Sequence, residues 1–266
     1  MPGPDELDLA LIAGAARAAG EIARGYWRKS PKVWDKGEGH GPVTEADLAI
    51  NGMLEARLRG ARPGYGWLSE ETPDTPDRLA ARRVFVLDPL DGTRAFVEGD
   101  KTFAHSIAVI EDGAPVAAAV YLPIHGLMFT ASADGPALLN DAPIHPSQRI
   151  SAEGATVLTS RAALAPEHWQ DDSPPAVRRE FRASLAYRLC LVAEGRFDAM
   201  LTLRPTWEWD IAAGDLIARR AGAHVTDRTG AALRFNATDP RANGVVAGAP
   251  GVHGALLAQL RPAGDR

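Results

Sequence analysis

The sequence predicts an α+β half followed by an α/β half. Three patterns predict it: apolar residues at helical spacing over residues 5–28 and 45–59, three strand-like runs between residues 106 and 131, and strands alternating with helices beyond Ile150. The boundary is expected near residue 150, without a flexible linker, and no internal repeat is visible.

In residues 5–28, Leu7, Leu11, Ala15, Ala18 and Ile22 share one helical face in an Ala-rich stretch of high helix propensity. Ser30-Pro31 stops this helix, and a loop follows through Lys36, Gly37, Gly39, His40 and Gly41. Thr44 offers an N-cap, with Asp47 three positions on in a variant of the capping box, so a second helix is expected over residues 45–59. Residues 65–71 form a short apolar stretch running into Glu70 and Glu71, a strand whose end carries carboxylates. Residues 84–87 read as a buried strand that ends abruptly in acids. Strands at 106–110, 116–122 and 127–131, turned at Asp112-Gly113 and at Ile124-His125-Gly126, make an antiparallel meander. Later strands are expected near 155–159, 197–201, 223–226 and 245–247, with helices over 184–194, 210–221 and 251–260.

The 266 residues are 45% hydrophobic and 24% charged with no low-complexity tract, which excludes a disordered or fibrous chain. The net charge of −5 and the even spread of Lys and Arg exclude a nucleic-acid groove. An acidic protein handling an anionic ligand must neutralise charge locally, with an Arg/Lys clamp or with bound cations. The single cysteine, Cys190, excludes an internal disulfide and lies in an apolar run, so it reads as a buried small hydrophobe. The N-terminus is acidic where a targeting segment would be basic, and no apolar run is long enough to span a bilayer, so the chain is read as cytoplasmic with no membrane partner.

Chemistry concentrates in Asp88-Pro89-Leu90-Asp91-Gly92-Thr93. The proline fixes one dihedral and the glycine permits a tight turn, so both carboxylates and the Leu90 carbonyl can be aimed into one small volume. Hard cations such as Mg²⁺ take oxygen ligands of this kind. The competing reading is an ordinary turn with solvated acids. Thr93 carries a hydroxyl able to orient a water, and Gly92-Thr93 leads into a helical turn whose free N–H groups suit a phosphate. Glu70, Asp47 and Asp210 each have plainer readings as a solvated acid, a cap and a helix-dipole partner, and Lys36 reads equally as a solvated loop lysine.

Four segments carry a resemblance: Val43-Thr44-Glu45-Ala46-Asp47, Leu68-Ser69-Glu70-Glu71, Asp88 to Thr93, and Trp209-Asp210-Ile211-Ala212-Ala213-Gly214 followed by Ala221-Gly222-Ala223. In this order they resemble the inositol monophosphatase superfamily of lithium-sensitive, Mg²⁺-dependent phosphatases, over nearly the whole chain. The resemblance implies a layered αβαβα sandwich, assembled as a homodimer. Residues 1–150 then form an α+β subdomain bearing the metal loop, and residues 151–266 an α/β subdomain completing the site. It further implies Glu70, Asp88 and the Leu90 carbonyl at a first ion, Asp88, Asp91 and Asp210 at a second, and room for a weaker third near Glu70. Catalytic roles for Asp47, Thr93 and Glu70 around an attacking water, and phosphate contacts from Gly92, Thr93 and Lys36, come by the same route.

The substrate is expected to be a small phosphate ester. Inositol-hydrolysing members commonly read Asp-Gly-Thr-x-Asn-Phe where this chain has Arg94-Ala95-Phe96 after Thr93, and they carry a glutamate where this chain has Leu203, with Glu208 the nearest acid that could stand in. The run from Ala183 to Gly195, with Arg204-Pro205-Thr206 ahead of Trp209-Asp210, resembles the bacterial 3′(2′),5′-bisphosphate nucleotidases. Arg188 and Arg204 are then candidates for a second phosphate, since a guanidinium fork matches phosphate, with packing or surface roles as the plain reading. Inositol-1-phosphate or histidinol-phosphate hydrolysis is the alternative, and a non-catalytic phosphate sensor a further one. The histidines are scattered without ligand spacing and receive no role.

Overall fold

The structure, a computed structural model, describes residues 3–37 and 41–262. Helix α1, Pro4–Tyr26, buries Ile12, Ala15, Ala16, Ala19 and Ala23 along one stripe, where small side chains let the helix lie close to the sheet beneath. A short antiparallel hairpin follows, β1 (Val33–Asp35) with β2 (Pro42–Thr44), in the region expected to be loop; the Gly39 and His40 of that expectation lie outside the described residues. Thr44 then caps α2, Glu45–Ala61, with the capping box closed by Asp47.

Strands β3 (Gly66–Ser69), β4 (Arg83–Asp91), β5 (Ala104–Glu111), β6 (Ala114–Leu122), β7 (Leu127–Ser132), β8 (Leu138–Leu139) and β9 (Ala142–Pro143) form one sheet in chain order. The expected meander is its centre, but β3 runs parallel to β4 because a crossover through residues 70–82 separates them. A short helix α3, Thr93–Val97, follows β4. The second sheet has the order β11 (Arg178–Glu180), β10 (Thr156–Leu158), β12 (Ala199–Thr202), β16 (Val245–Gly248), β14 (His224–Thr226). Helices α4 (Leu185–Ala193), α5 (Glu208–Ala221) and α6 (Pro250–Gln259) and a small ladder of β13 (Thr206–Trp207) with β15 (Arg241–Ala242) complete the chain.

Alternation along the strands builds the layers. Phe85, Leu87, Ile107 and Val109 face α1 and α2, whereas Val84, Val86, Ala108 and Ile110 face α4 and α5. Helix α5 packs on β4 to β7 from the inner side, α4 reaches β12 and β16, and α6 covers the far face of the second sheet through Val252 and Leu256. The order is helix, sheet, helix, sheet, helix. Cys190 is fully buried within the α4 layer, and burial pushes its thiol well above the usual range. Gly214 of α5 sits against Leu189 of α4, where an added Cβ would come within 2.6 Å of that side chain, so the inner helices approach only because this position is glycine.

An ion cluster ties α1 to the sheet. Arg83 donates to Asp8 at 2.7 Å, to Asp5 at 2.6 Å and to Glu111 at 2.7 Å, and Asp8 also accepts from Tyr65 and Arg62. A buried charge such as Asp8 is tolerable only with such full pairing.

His253 of α6 is buried, meets Thr226 Oγ1 at 2.9 Å, and is pushed down to about 4 by burial and by His224. It therefore stays neutral in the fold while the unfolded chain takes up a proton below its ordinary value of 6.5. Stability from this group is complete above pH 6.5 and is lost as pH falls toward 4. Thermal unfolding of His253→Gln should show a shallower acid-side slope, by up to about 1.4 kcal/mol per pH unit; identical slopes would remove His253 as the cause.

Candidate active site

The central feature is the end of β4. The sequence places the end of this strand at Leu87, but the strand continues to Asp91 because it stays paired with β5 through an irregularity. Register steps from Asp88 opposite Ser106 to Asp91 opposite Ala104, so Pro89 and Leu90 together oppose His105 alone. This is a β-bulge, and proline, lacking an N–H, suits it. Asp88 Oδ1 accepts the Leu90 N–H at 2.8 Å, turning its carboxylate inward. Gly92 then adopts φ 101°, in the left-handed region, with an added Cβ 3.4 Å from Phe103 Cα, and delivers the chain into α3.

The third acid arrives from the other sheet's side. Asp210 lies in the first turn of α5, and oxygens of Asp88, Asp91 and Asp210 lie within 4.8 Å of one another. Burial, followed by the charges of Glu70, Asp91 and Asp210, holds Asp88 well above the usual carboxylate range. Asp210 is raised well above it by burial and by Asp91 and Glu70. Asp91 is pushed up to about 6 by burial, although Ser184 Oγ donates to it at 2.6 Å and the Ala186 N–H at 2.8 Å. Three crowded carboxylates with hard oxygen donors suit a hard divalent cation such as Mg²⁺.

Beside this trio, Asp47 is buried and spans two partners. Its Oδ2 accepts from the Thr44 N–H at 2.9 Å, and its Oδ1 lies 3.1 Å from Thr93 Oγ1, which is also 3.1 Å from the Leu90 carbonyl. Its role in the cap and its contact with Thr93 are thus compatible. Glu70 lies outside the trio. Its Oε1 accepts from Lys36 Nζ at 2.7 Å, and Lys36 also bridges to Glu71 at 2.5 Å. Burial raises Glu71 to about 7 against the pull of Lys36. Lys36, expected at phosphate, pairs with these two acids in the structure.

Arg188 is buried, its Nε donates to the Arg182 carbonyl at 2.6 Å, and its guanidinium lies 4.4 Å from the centre of the Phe181 ring. Burial lowers it to about 10, while Asp91 and Asp210 pull it back up. It is still charged at neutral pH. Arg204 is exposed, and its charge acts on both Arg188 and Asp210. A cavity of about 380 Å³ opens beside Glu70, lined by Trp207 and Trp209, whose rings stack at 4.6 Å. Glu208 does not face it as a substitute acid: its carboxylate accepts from the backbone N–H groups of Asn236 and Ala237 at 2.6 and 3.0 Å.

A sequence profile described as the Inositol monophosphatase family matches residues 5–265. The chain belongs to this family. Among its relatives, the 3′(2′),5′-bisphosphate nucleotidase CysQ of Salmonella typhimurium is 33% identical over 230 residues, covering 85% of this chain and 93% of that one. An inositol-1-monophosphatase of Mesorhizobium japonicum is 32% identical over 267 residues, covering 94% of each. The structure of extragenic suppressor protein suhB from Bartonella henselae superposes with a TM-score of 0.81 at 28% identity, covering 95% of this chain and 97% of that one. An IMPase from Thermotoga maritima gives a TM-score of 0.81 at 26% identity, with 96% of each chain covered. The layered sandwich expected from the sequence is the fold of this inositol monophosphatase family member, and the chain is a metal-dependent phosphoric monoester hydrolase.

The sequence reading gives Ser184 and Glu71 no role at the site. Ser184 was legible as the N-cap of a predicted helix, but its hydroxyl reaches Asp91, which only the packing of α4 reveals.

Mg²⁺ should raise the thermal midpoint of the wild-type protein by mass action. In Asp210→Asn that rise should shrink or vanish while metal-free stability is equal or higher, because one of the crowded charges is gone. A variant stabilised by Mg²⁺ as fully as wild type would remove Asp210 from the cation site. In Asp91→Asn, turnover should fall by several orders of magnitude with the circular dichroism spectrum unchanged; near-normal turnover at saturating Mg²⁺ would exclude Asp91.

Proposed function

We propose that the chain is a Mg²⁺-dependent 3′(2′),5′-bisphosphate nucleotidase, converting adenosine 3′,5′-bisphosphate and water to AMP and phosphate. Arg188 carries this reading: a buried, charged guanidinium close to the acid trio supports recognition of a second phosphate. The Trp207 and Trp209 pair beside the cavity supports the same substrate, since a planar base gains by packing on aromatic rings. The relation to CysQ proteins agrees with it. Leu203 and the occupied carboxylate of Glu208 disfavour inositol phosphate, because neither position offers a free carboxylate to its hydroxyls.

In this reading Asp88, Asp91 and Asp210 hold one ion, and Glu70, Asp88 and the Leu90 carbonyl hold a second once Lys36 releases Glu70, with a weaker third near Glu70. Bound Mg²⁺ supplies Lewis acidity toward phosphate oxygens and water. Asp47, fixed by Thr44, accepts from the Thr93 hydroxyl, leaving that oxygen's lone pairs to accept a hydrogen bond from the attacking water and so orient it. Glu70 assists at the same water, and Gly92, Thr93 and Lys36 lie on the side of the transferred phosphate. Residues 1–150 and 151–266 act as the two halves of the site, in a cytoplasmic homodimer; light scattering giving the mass of one chain would exclude the dimer. No helix among the described residues is long and apolar enough to cross a membrane.

A substrate panel read by phosphate release tests the reading. The bisphosphate nucleotide should be cleaved fastest, and much faster cleavage of inositol-1-phosphate or histidinol phosphate would overturn the assignment. Arg188→Gln should raise KM for the bisphosphate nucleotide by about 10- to 100-fold while changing KM for a single-phosphate ester far less. Lithium should inhibit by competing for a cation position, and insensitivity at millimolar levels would count against the family mechanism.

A further inference from the structure

We infer that His105 is a positioning residue for the cation site, pinning the β4 bulge from which Asp88, the Leu90 carbonyl and Asp91 are presented. The inference rests on the reading of those groups as cation ligands. His105 is the one residue of β5 that faces the two bulge residues Pro89 and Leu90. Its Nδ1–H donates to the Pro89 carbonyl at 2.5 Å, with the imidazole fully buried. Pro89 has no N–H, so the bulge lacks a ladder donor and is held less firmly by backbone alone. A side-chain donor from the partner strand restores a fixed point between the two aspartates.

Two further observations mark this as more than space filling. Nε2 of His105 is buried without a hydrogen-bond partner among the described residues, a cost that an aliphatic side chain in the same space would avoid. The Pro89 carbonyl can only accept, so Nδ1 carries the hydrogen of this bond and the bond has one polarity. The next residue, Ser106, points to the opposite face, as adjacent strand residues must, and its Oγ donates to the Trp209 carbonyl at 3.2 Å, one residue before Asp210. Consecutive positions of β5 thus hold both acid-bearing segments, one from each side of the sheet.

The test is Mg²⁺ binding by titration calorimetry on folded protein, with His105→Leu and His105→Asn, the latter keeping a donor near the Nδ1 position. His105→Leu should weaken Mg²⁺ binding by about 10- to 100-fold, the range found for residues that orient metal ligands, and His105→Asn should recover most of it. A folded His105→Leu protein binding Mg²⁺ as wild type does would overturn the inference. Should His105→Leu not fold, histidine-selective nitrogen NMR on the wild-type protein decides. The His105 signal should report a neutral ring protonated at Nδ1 and should move in step with Mg²⁺ saturation; a ring protonated at Nε2, or a signal indifferent to Mg²⁺, would overturn it. Absence of any Mg²⁺ heat from the wild-type protein would instead sink the cation-site reading itself.

Discussion

Three carboxylates brought within 4.8 Å of one another in a buried setting repel, and the structure around them must bear that repulsion. At an effective dielectric of about 20 the cost is on the order of 3 kcal/mol per fully charged pair. The fold meets this with donors supplied from outside the trio. Asp91 takes a hydroxyl and an N–H from the start of α4, and Asp88 takes the N–H of its own bulge. Neither donor set comes from Asp210's helix, so the acids are anchored independently and then pressed together by packing.

The layers make that pressing possible. β4 is flanked by β3 and β5, and Asp88 and Asp91 stay paired with β5, opposite Ser106 and Ala104. Helix α5 lies on the inner face of the same sheet, with Ile211, Ala212, Leu216 and Ile217 buried, so Asp210 is carried to the trio by a rod with little freedom. The acid trio sits where the end of β4 meets the start of α5.

Much of this was legible beforehand, and the reasons differ by element. The long helices followed from periodicity and from a cap whose two members, Thr44 and Asp47, lie three residues apart. The acid-rich segment after residue 87 was conspicuous because an apolar run rarely ends in two aspartates. The bulge was not legible, since it exists only relative to β5 and depends on His105 standing opposite two residues. Nor was the turning of Lys36 toward Glu70 and Glu71, which brings the residue after β1 to the two residues after β3. Glu208 looked like a spare acid by spacing alone, whereas the loop at residues 236–237 claims both of its oxygens.

The contact between Gly214 and Leu189 reaches further than helix packing. Gly214 stands one turn beyond Asp210 on α5, while the start of α4 grips Asp91, so the gap between the two helices also sets the separation of the two acids. Mg²⁺ demands near-ideal octahedral geometry with bonds of about 2.1 Å. The separation of the two acids is therefore set partly by the absence of a methyl group at residue 214.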